Sequence, residues 1–115
     1  MAVRNTDVYA INRARSIAAD AIDGNLDLLV ACCDLADLRL RLPRVADGQM
    51  HVFVGVASEV DGLPIGAARS LWASEALKSK DIVIARYREQ MRGVVVAALQ
   101  RLLEILAHEQ RYLND

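Results

Sequence analysis

Two acidic pairs with the spacing Asp-x-x-Asp are the first residues in this sequence that could do chemistry. Asp20 and Asp23 form one pair, and Asp34 and Asp37 form the other. Carboxylates on neighbouring helices can hold Mg²⁺ for the hydrolysis of a nucleotide or another phosphate ester. If the chain turns back at residues 24–25, however, Asp23 and Asp34 are displaced by about 12 Å along the helix axis. We therefore expect no metal site and no catalytic residue in these pairs.

The same hairpin register places the second acidic pair opposite basic residues. Asp34 then lies near Arg15, and Asp37 lies near Asn12 and Arg13. Exposed ion pairs of this kind contribute about 0 to 1 kcal/mol each. The acidic residues are thus expected to be surface ion-pair partners rather than metal ligands.

A second candidate is the segment 58–72, which reads SEVDGLPIGAARSLW and contains the only Trp of the chain. It gathers charged and turn-forming residues within a sequence that is otherwise rich in alanine, leucine, valine and arginine. Asp61 and Gly62 can form a turn, and Pro64 keeps the residue before it extended. The candidate ligand-binding or partner-binding residues are Ser58, Glu59, Asp61, Pro64, Arg69 and Trp72.

Two interpretations of this segment are open. In the structural one, Leu63 and Trp72 close the end of a helical bundle. Arg69 then pairs with Glu59 or Asp61. In the functional one, Glu59, Asp61 and Arg69 bind a small ligand or a phosphate ester, and the acidic pairs hold a metal.

The remaining polar candidates specify no site. Cys32 and Cys33 are adjacent, so their side chains project about 100° apart on a helix and neither chelate a metal nor pair with each other. Glu104 and His108 are one helical turn apart and could supply two metal ligands, but no third ligand accompanies them. No cofactor is predicted.

Charge and hydropathy argue against several classes of protein. Fourteen basic and fifteen acidic residues give a net charge of -1, which offers no overall attraction to nucleic acid or to an anionic membrane. The arginines near Pro43 and within residues 86–92 are interpreted as salt-bridge partners, because scarcely any aromatic residue accompanies them. The first twenty residues contain no apolar run as long as a signal peptide, and no stretch approaches a membrane span. We expect a cytoplasmic protein.

The apolar periodicity predicts α-helix over most of a single domain, residues 1–115. In the first predicted helix, Val8–Ile22, apolar residues recur every three or four positions. Thr6 or Asp7 can serve as its N-cap, and Gly24 is expected to end it in a left-handed conformation.

The central part of the chain is harder to interpret. Asn25 can cap a second helix that ends at Pro43, so the first two helices are expected to form an antiparallel hairpin. Residues 43–50 are predicted to be a loop. Residues 51–60 have the Val and Phe content of a strand, but no second strand exists to pair with them. We therefore predict a helix there.

A short helix at residues 64–72 and a long helix at about residues 79–111 complete the prediction of an all-α bundle of four to five helices. The long helix has apolar side chains on more than one face, so we expect a homodimer that covers part of it. The interface candidates are Val95, Leu99, Leu103 and Leu106.

Residues 53–81 resemble the signature region of a family of small, mostly helical bacterial proteins of unknown function. The shared features are a Phe, a Ser-Glu-x-Asp, a Leu-Pro-x-Gly, an Arg and a Trp, in this order. The hairpin sequence DGNLDLLVACCDLADLR is similar to the first half of the same family. The resemblance implies no activity, and single-domain proteins of this kind also resemble the products of mobile bacterial gene cassettes. The matching residues are Phe53, Ser58, Glu59, Asp61, Leu63, Pro64, Gly66, Arg69 and Trp72.

The sequence thus predicts a non-enzymatic binding or accessory protein that acts as a homo-oligomer. One alternative is a metal-dependent nucleotide or phosphate-ester hydrolase that uses the acidic pairs. Another is a neutralising partner of a second protein, of the immunity or antitoxin type. Neither nucleic acid nor a membrane is an expected partner.

Overall fold

The computed structural model describes the backbone of residues 7–114 and the side chains of residues 7–108. Four α-helices follow one another: α1 (Val8–Ile22), α2 (Leu28–Ala36), α3 (Asp47–Glu59) and α4 (Ser74–Asn114). Short 3-10 helices lie at Arg39–Arg41, Arg44–Ala46 and Gly66–Leu71. The described residues contain no strand, so the predicted all-α bundle with a long C-terminal helix is confirmed.

The first helix has the predicted bounds and the predicted caps. The Asp7 carboxylate accepts a hydrogen bond from the Ala10 amide at 3.0 Å, which satisfies one of the free donors in the first turn. At the other end Gly24 has a φ of +84°, a conformation that disfavours any residue with a Cβ. The Asn25 amide then donates to the Asp20 carbonyl at 2.8 Å and closes the end of α1.

The second helix departs from the prediction at both ends. Asp27, not Asn25, is its N-cap, because the Asp27 carboxylate reaches the amides of Leu29 and Val30. The helix ends at Ala36, well before Pro43, and the chain continues through a 3-10 turn.

The third helix resolves the ambiguity between helix and strand at residues 51–60. Residues 51–59 are helical, as predicted, since a lone strand would have left its backbone groups unpaired. The helix begins at Asp47, however, so the predicted loop at residues 43–50 was wrong over its second half. The predicted helix at residues 64–72 is a 3-10 helix that begins at Gly66.

The core is continuous and contains side chains from all four helices. The most extensive contacts are those of α2 with α3 and of α1 with α4. Within the described part of the chain, no helix is both long and apolar enough to cross a membrane. The largest fully buried apolar side chains of the helices are Ile11, Ile17, Leu29, Leu35, Phe53, Val56, Val95, Leu99, Leu102 and Leu106.

The predicted dimer-interface residues are mostly part of this core. Val95, Leu99 and Leu106 are fully buried within the single chain, and Leu103 is partly buried against the core. The sequence suggested that a second copy covers them because α4 has apolar residues on several faces. Instead, α1, α2 and α3 of the same chain pack against α4. Of the four, only Leu103 keeps surface that a second copy could contact.

The conformation of Gly24 leads to a matched pair of variants. Gly24→Ala should destabilise the protein by about 1 to 2 kcal/mol, because alanine resists a positive φ. Gly55 lies in the middle of α3, is exposed and has open space around it, so Gly55→Ala should stabilise by about 0.5 to 1 kcal/mol. Chemical denaturation measures the free energy of unfolding of both variants. If both substitutions changed it in the same direction, the positive φ of Gly24 would be contradicted.

Candidate functional site

A cleft of about 490 Å³ lies between the start of α2, the segment that connects α3 to α4, and α4 itself. We call residues 60–73 the crossover segment. The cleft contains Pro64 and Arg69 from the predicted site but not Ser58, Glu59, Asp61 or Trp72. Its lining residues are Asp27, Val30, Pro64, Ile65, Gly66, Arg69, Asp81, Ile84, Ala85 and Arg88.

One wall of the cleft is held by the Asp27 carboxylate, which makes contacts through both of its oxygens. Oδ2 accepts hydrogen bonds from the amides of Leu29 at 3.1 Å and Val30 at 3.2 Å. Oδ1 accepts one from Nε of Arg88 at 2.6 Å. The side chains of Asp27 and Arg88 are each only 30% exposed, so solvent screens this pair less than a surface pair. One carboxylate therefore caps α2 and also joins α2 to α4.

The other wall is held by Arg69, whose guanidinium contacts Asp81 through two nitrogens. The two nitrogen-to-oxygen distances are 2.6 and 3.2 Å. Nη1 also donates to the Pro64 carbonyl at 3.3 Å. The hydrogen bonds from Arg69 lower the pKa of Asp81, with a smaller contribution from the positive charge of Arg88. The same hydrogen bonds raise the pKa of Arg69. The pair attaches the crossover segment to α4.

The predicted pairing of Arg69 with Glu59 or Asp61 was wrong. Glu59 is the last residue of α3, Asp61 follows it in the turn, and both are exposed. Gly62, at a φ of +81°, lets the chain leave this turn and cross toward α4. Arg69 thus reaches Asp81 and does not fold back to the end of α3.

Trp72 does not close the bundle as predicted. It is partly exposed and is not among the side chains that pack against the core. Pro64 is fully buried and Leu63 packs against the core. The crossover segment is therefore anchored by Leu63 and Pro64, whereas the 3-10 helix that follows lies on the surface.

The two acidic pairs do not converge. Among the described residues, no group of three or more His, Cys, Asp or Glu side chains could hold a metal ion. Asp34 and Asp37 make no ion pair with any residue that the structure describes, so the predicted contacts with Arg15 and Arg13 are not formed.

Arg41, Arg88 and Arg92, three of the arginines that were interpreted as salt-bridge partners, make ion pairs. Near Pro43, Arg41 contacts the Asp7 carboxylate at 2.6 Å and lies 5.5 Å from the centre of the Tyr9 ring. On α4, Arg92 donates to Glu89 at 3.1 Å. Their positive charges are therefore partly neutralised within the chain.

The remaining candidates do not form a reactive centre. Burial raises the pKa of the Cys32 thiol to about 12, and burial also raises the pKa of Cys33. Both side chains are free thiols that stay protonated at neutral pH, and the thiol form is a poor nucleophile. Glu104 accepts a hydrogen bond from Arg101 at 2.9 Å.

Asp27, Asp81 and Arg88 are site residues that the sequence interpretation missed. Asp27 could have been recognised, because it directly precedes the apolar run LLVACC, as an N-cap does. No comparable sequence pattern marks Asp81 as a site residue. It is twelve positions from Arg69, and only the path of the crossover segment brings the two together.

No protein family matches this chain, and no curated protein or solved structure is significantly similar to it. The resemblance of residues 53–81 to a family of small bacterial proteins stays a prediction.

The two roles of Asp27 can be separated by substitution. Asp27→Ala should destabilise the protein by about 1 to 2 kcal/mol, because α2 loses its cap as well as the contact with Arg88. Asp27→Ser keeps a cap but loses the ion pair, and should cost no more than about 1 kcal/mol. Equal losses from both variants in chemical denaturation would contradict the capping role.

The Arg69–Asp81 pair should make the stability depend on pH. Because the pKa of Asp81 is lowered in the folded state, the pair stabilises the fold above the ordinary Asp pKa of 3.8. This stabilisation is lost as the pH falls through the lower, folded-state pKa. Asp81→Asn should therefore melt below wild type at pH 7, and the difference should shrink at pH 3. An unchanged difference would show that Asp81 acts through something other than its charge.

Proposed function

We propose that this chain is a non-enzymatic, cytoplasmic binding protein that acts as a homodimer through an exposed face of α4. One observation carries the proposal: among the side chains of α4 that the structure describes, three large aliphatic ones remain more than half exposed. They are Ile82 at 59%, Val83 at 51% and Val94 at 53%. Burial of such side chains against a second molecule is favourable, since it removes apolar surface from water.

These side chains lie on one side of the helix. At 100° per residue, positions 82, 83 and 94 fall within a sector of about 120°. We call this surface the α4 outer face. It is about 22 Å long, and its members, all exposed, are Ile82, Val83, Arg86, Gln90, Gly93, Val94 and Ala97.

The arrangement of charges in the cleft does not favour a hydrolase. A phosphate-ester enzyme would need Glu59, Asp61 and Arg69 to converge on a substrate. In the structure Arg69 instead contacts Asp81 through two nitrogens, and both oxygens of Asp27 are engaged. The polar groups of the cleft thus stabilise the fold through contacts with one another.

Sedimentation equilibrium at micromolar concentrations tests the proposal. Wild type should sediment as a dimer of the 12.6 kDa chain. Val83→Glu should produce a folded monomer, because it places a charge in the apolar face without disturbing the core. Leu71→Glu is the matched control: Leu71 is 86% exposed but lies outside α4, so this variant should remain dimeric. A monomeric wild type would refute the proposal.

A further inference from the structure

The orientation of the two copies follows from the residues of the α4 outer face. We propose that the two α4 helices pack antiparallel, with Arg86 of each chain facing Glu89 of the partner subunit. This inference rests on the proposed homodimer and adds its geometry.

The first argument comes from charge. Arg88 and Arg92 have ion-pair partners within the chain, but Arg86 makes no hydrogen bond or ion pair with any described residue. Glu89, at the edge of the same face, is 74% exposed and accepts a hydrogen bond from Arg92 through Oε2. Its carboxylate is therefore accessible to a second cation.

These charges distinguish the two possible orientations. In a parallel pair, each residue faces its own counterpart, so Arg86 would face a second Arg86 and the two charges would repel. In an antiparallel pair centred between positions 87 and 88, Arg86 faces Glu89, and the two-fold symmetry forms this contact twice. Opposite charges across an interface favour the second arrangement.

The second argument comes from Gly93. Gly93 lies on the α4 outer face, in the middle of the helix. No atom of the chain lies within 4 Å of the position that a Cβ would occupy, so the space beside it is open to a second molecule. In the antiparallel register Ile82 of one chain faces Gly93 of the other. The absent side chain lets the helices approach closely, and Ile82 fills the space.

Disulfide cross-linking tests the orientation. Two variants, Ile82→Cys and Gly93→Cys, are made with different affinity tags in a Cys33→Ser background and are mixed under mild oxidation. Cys32 can stay, because it is buried. In the antiparallel pair positions 82 and 93 face each other, whereas two copies of either position are about 16 Å apart along the helix axis. That separation is far beyond the Cα distance of about 7 Å that a disulfide can span.

We expect a disulfide between the two different variants and almost none between identical chains. Disulfides between identical chains in a dimeric protein would indicate a parallel pair and would overturn this inference alone. A dimer that forms neither disulfide would place its contact elsewhere and would also overturn it. A wild-type protein that sediments as a monomer would instead refute the homodimer itself.

A charge exchange provides a second, independent measurement. Arg86→Glu should weaken the dimer by about tenfold in Kd, because it places like charges opposite each other. The double variant R86E/E89R reverses both charges and should restore the affinity to within about threefold of wild type. Arg92→Ala, which removes only the contact within the chain, should leave the dimer intact. Absence of rescue by the double variant would contradict the contact between Arg86 and Glu89.

Discussion

The burial of the second half of α4 by the other three helices is the interaction on which the rest of the structure depends. From Val95 onward this helix contributes the fully buried side chains Leu99, Leu102 and Leu106 to the core. Removal of apolar surface from water is the dominant favourable term in folding, so this half positions the helix in the bundle. The first half extends beyond that region, and Ile84 is its only fully buried apolar residue before Val95 among those described.

The first half of α4 is attached by apolar side chains, Ile84, Tyr87 and Met91, and also by two ion pairs. Arg88 binds the carboxylate that caps α2, and Asp81 binds the arginine of the crossover segment. Packing thus holds both halves of the helix, and ion pairs add to it in the first half. Salt is expected to weaken those ion pairs more than the packing of the second half.

The inner and outer sides of α4 have different surroundings, so the same helix can serve the core and also the second molecule of the proposed dimer. Its inner surface is covered by the chain's own helices, and its outer face keeps Ile82, Val83 and Val94 exposed. A monomer tolerates scattered exposed aliphatic residues, but three on one helix face form a surface suited to a partner. The proposed antiparallel dimer places a charge pair and a glycine on this same face. Within the single chain, Arg86 makes no ion pair with a described residue, and no atom lies within 4 Å of the position that a Cβ on Gly93 would occupy.

The sequence by itself determined the fold class and the position of α1 to the residue, because helical periodicity and caps are local properties. It also indicated that residues 51–60 are helical, because no second strand was available. Asp27 is an intermediate case: its capping role is readable from the apolar run after it, but its contact with Arg88, sixty-one positions away, is not. Local sequence patterns do not show which residues far apart in the chain come into contact.

The tertiary structure alone decided which apolar residues of α4 are core and which are surface. Sequence periodicity showed that several faces of the helix are apolar, and it assigned Leu99 and Leu106 to a second chain. Only the packing of the other helices shows that they are buried within one chain. The partner of Arg69 was decided in the same way. Glu59 and Asp61 had the right charge and were nearer in sequence, but the path of the crossover segment selected Asp81, because an ion pair forms only between groups that the fold brings within a few ångström.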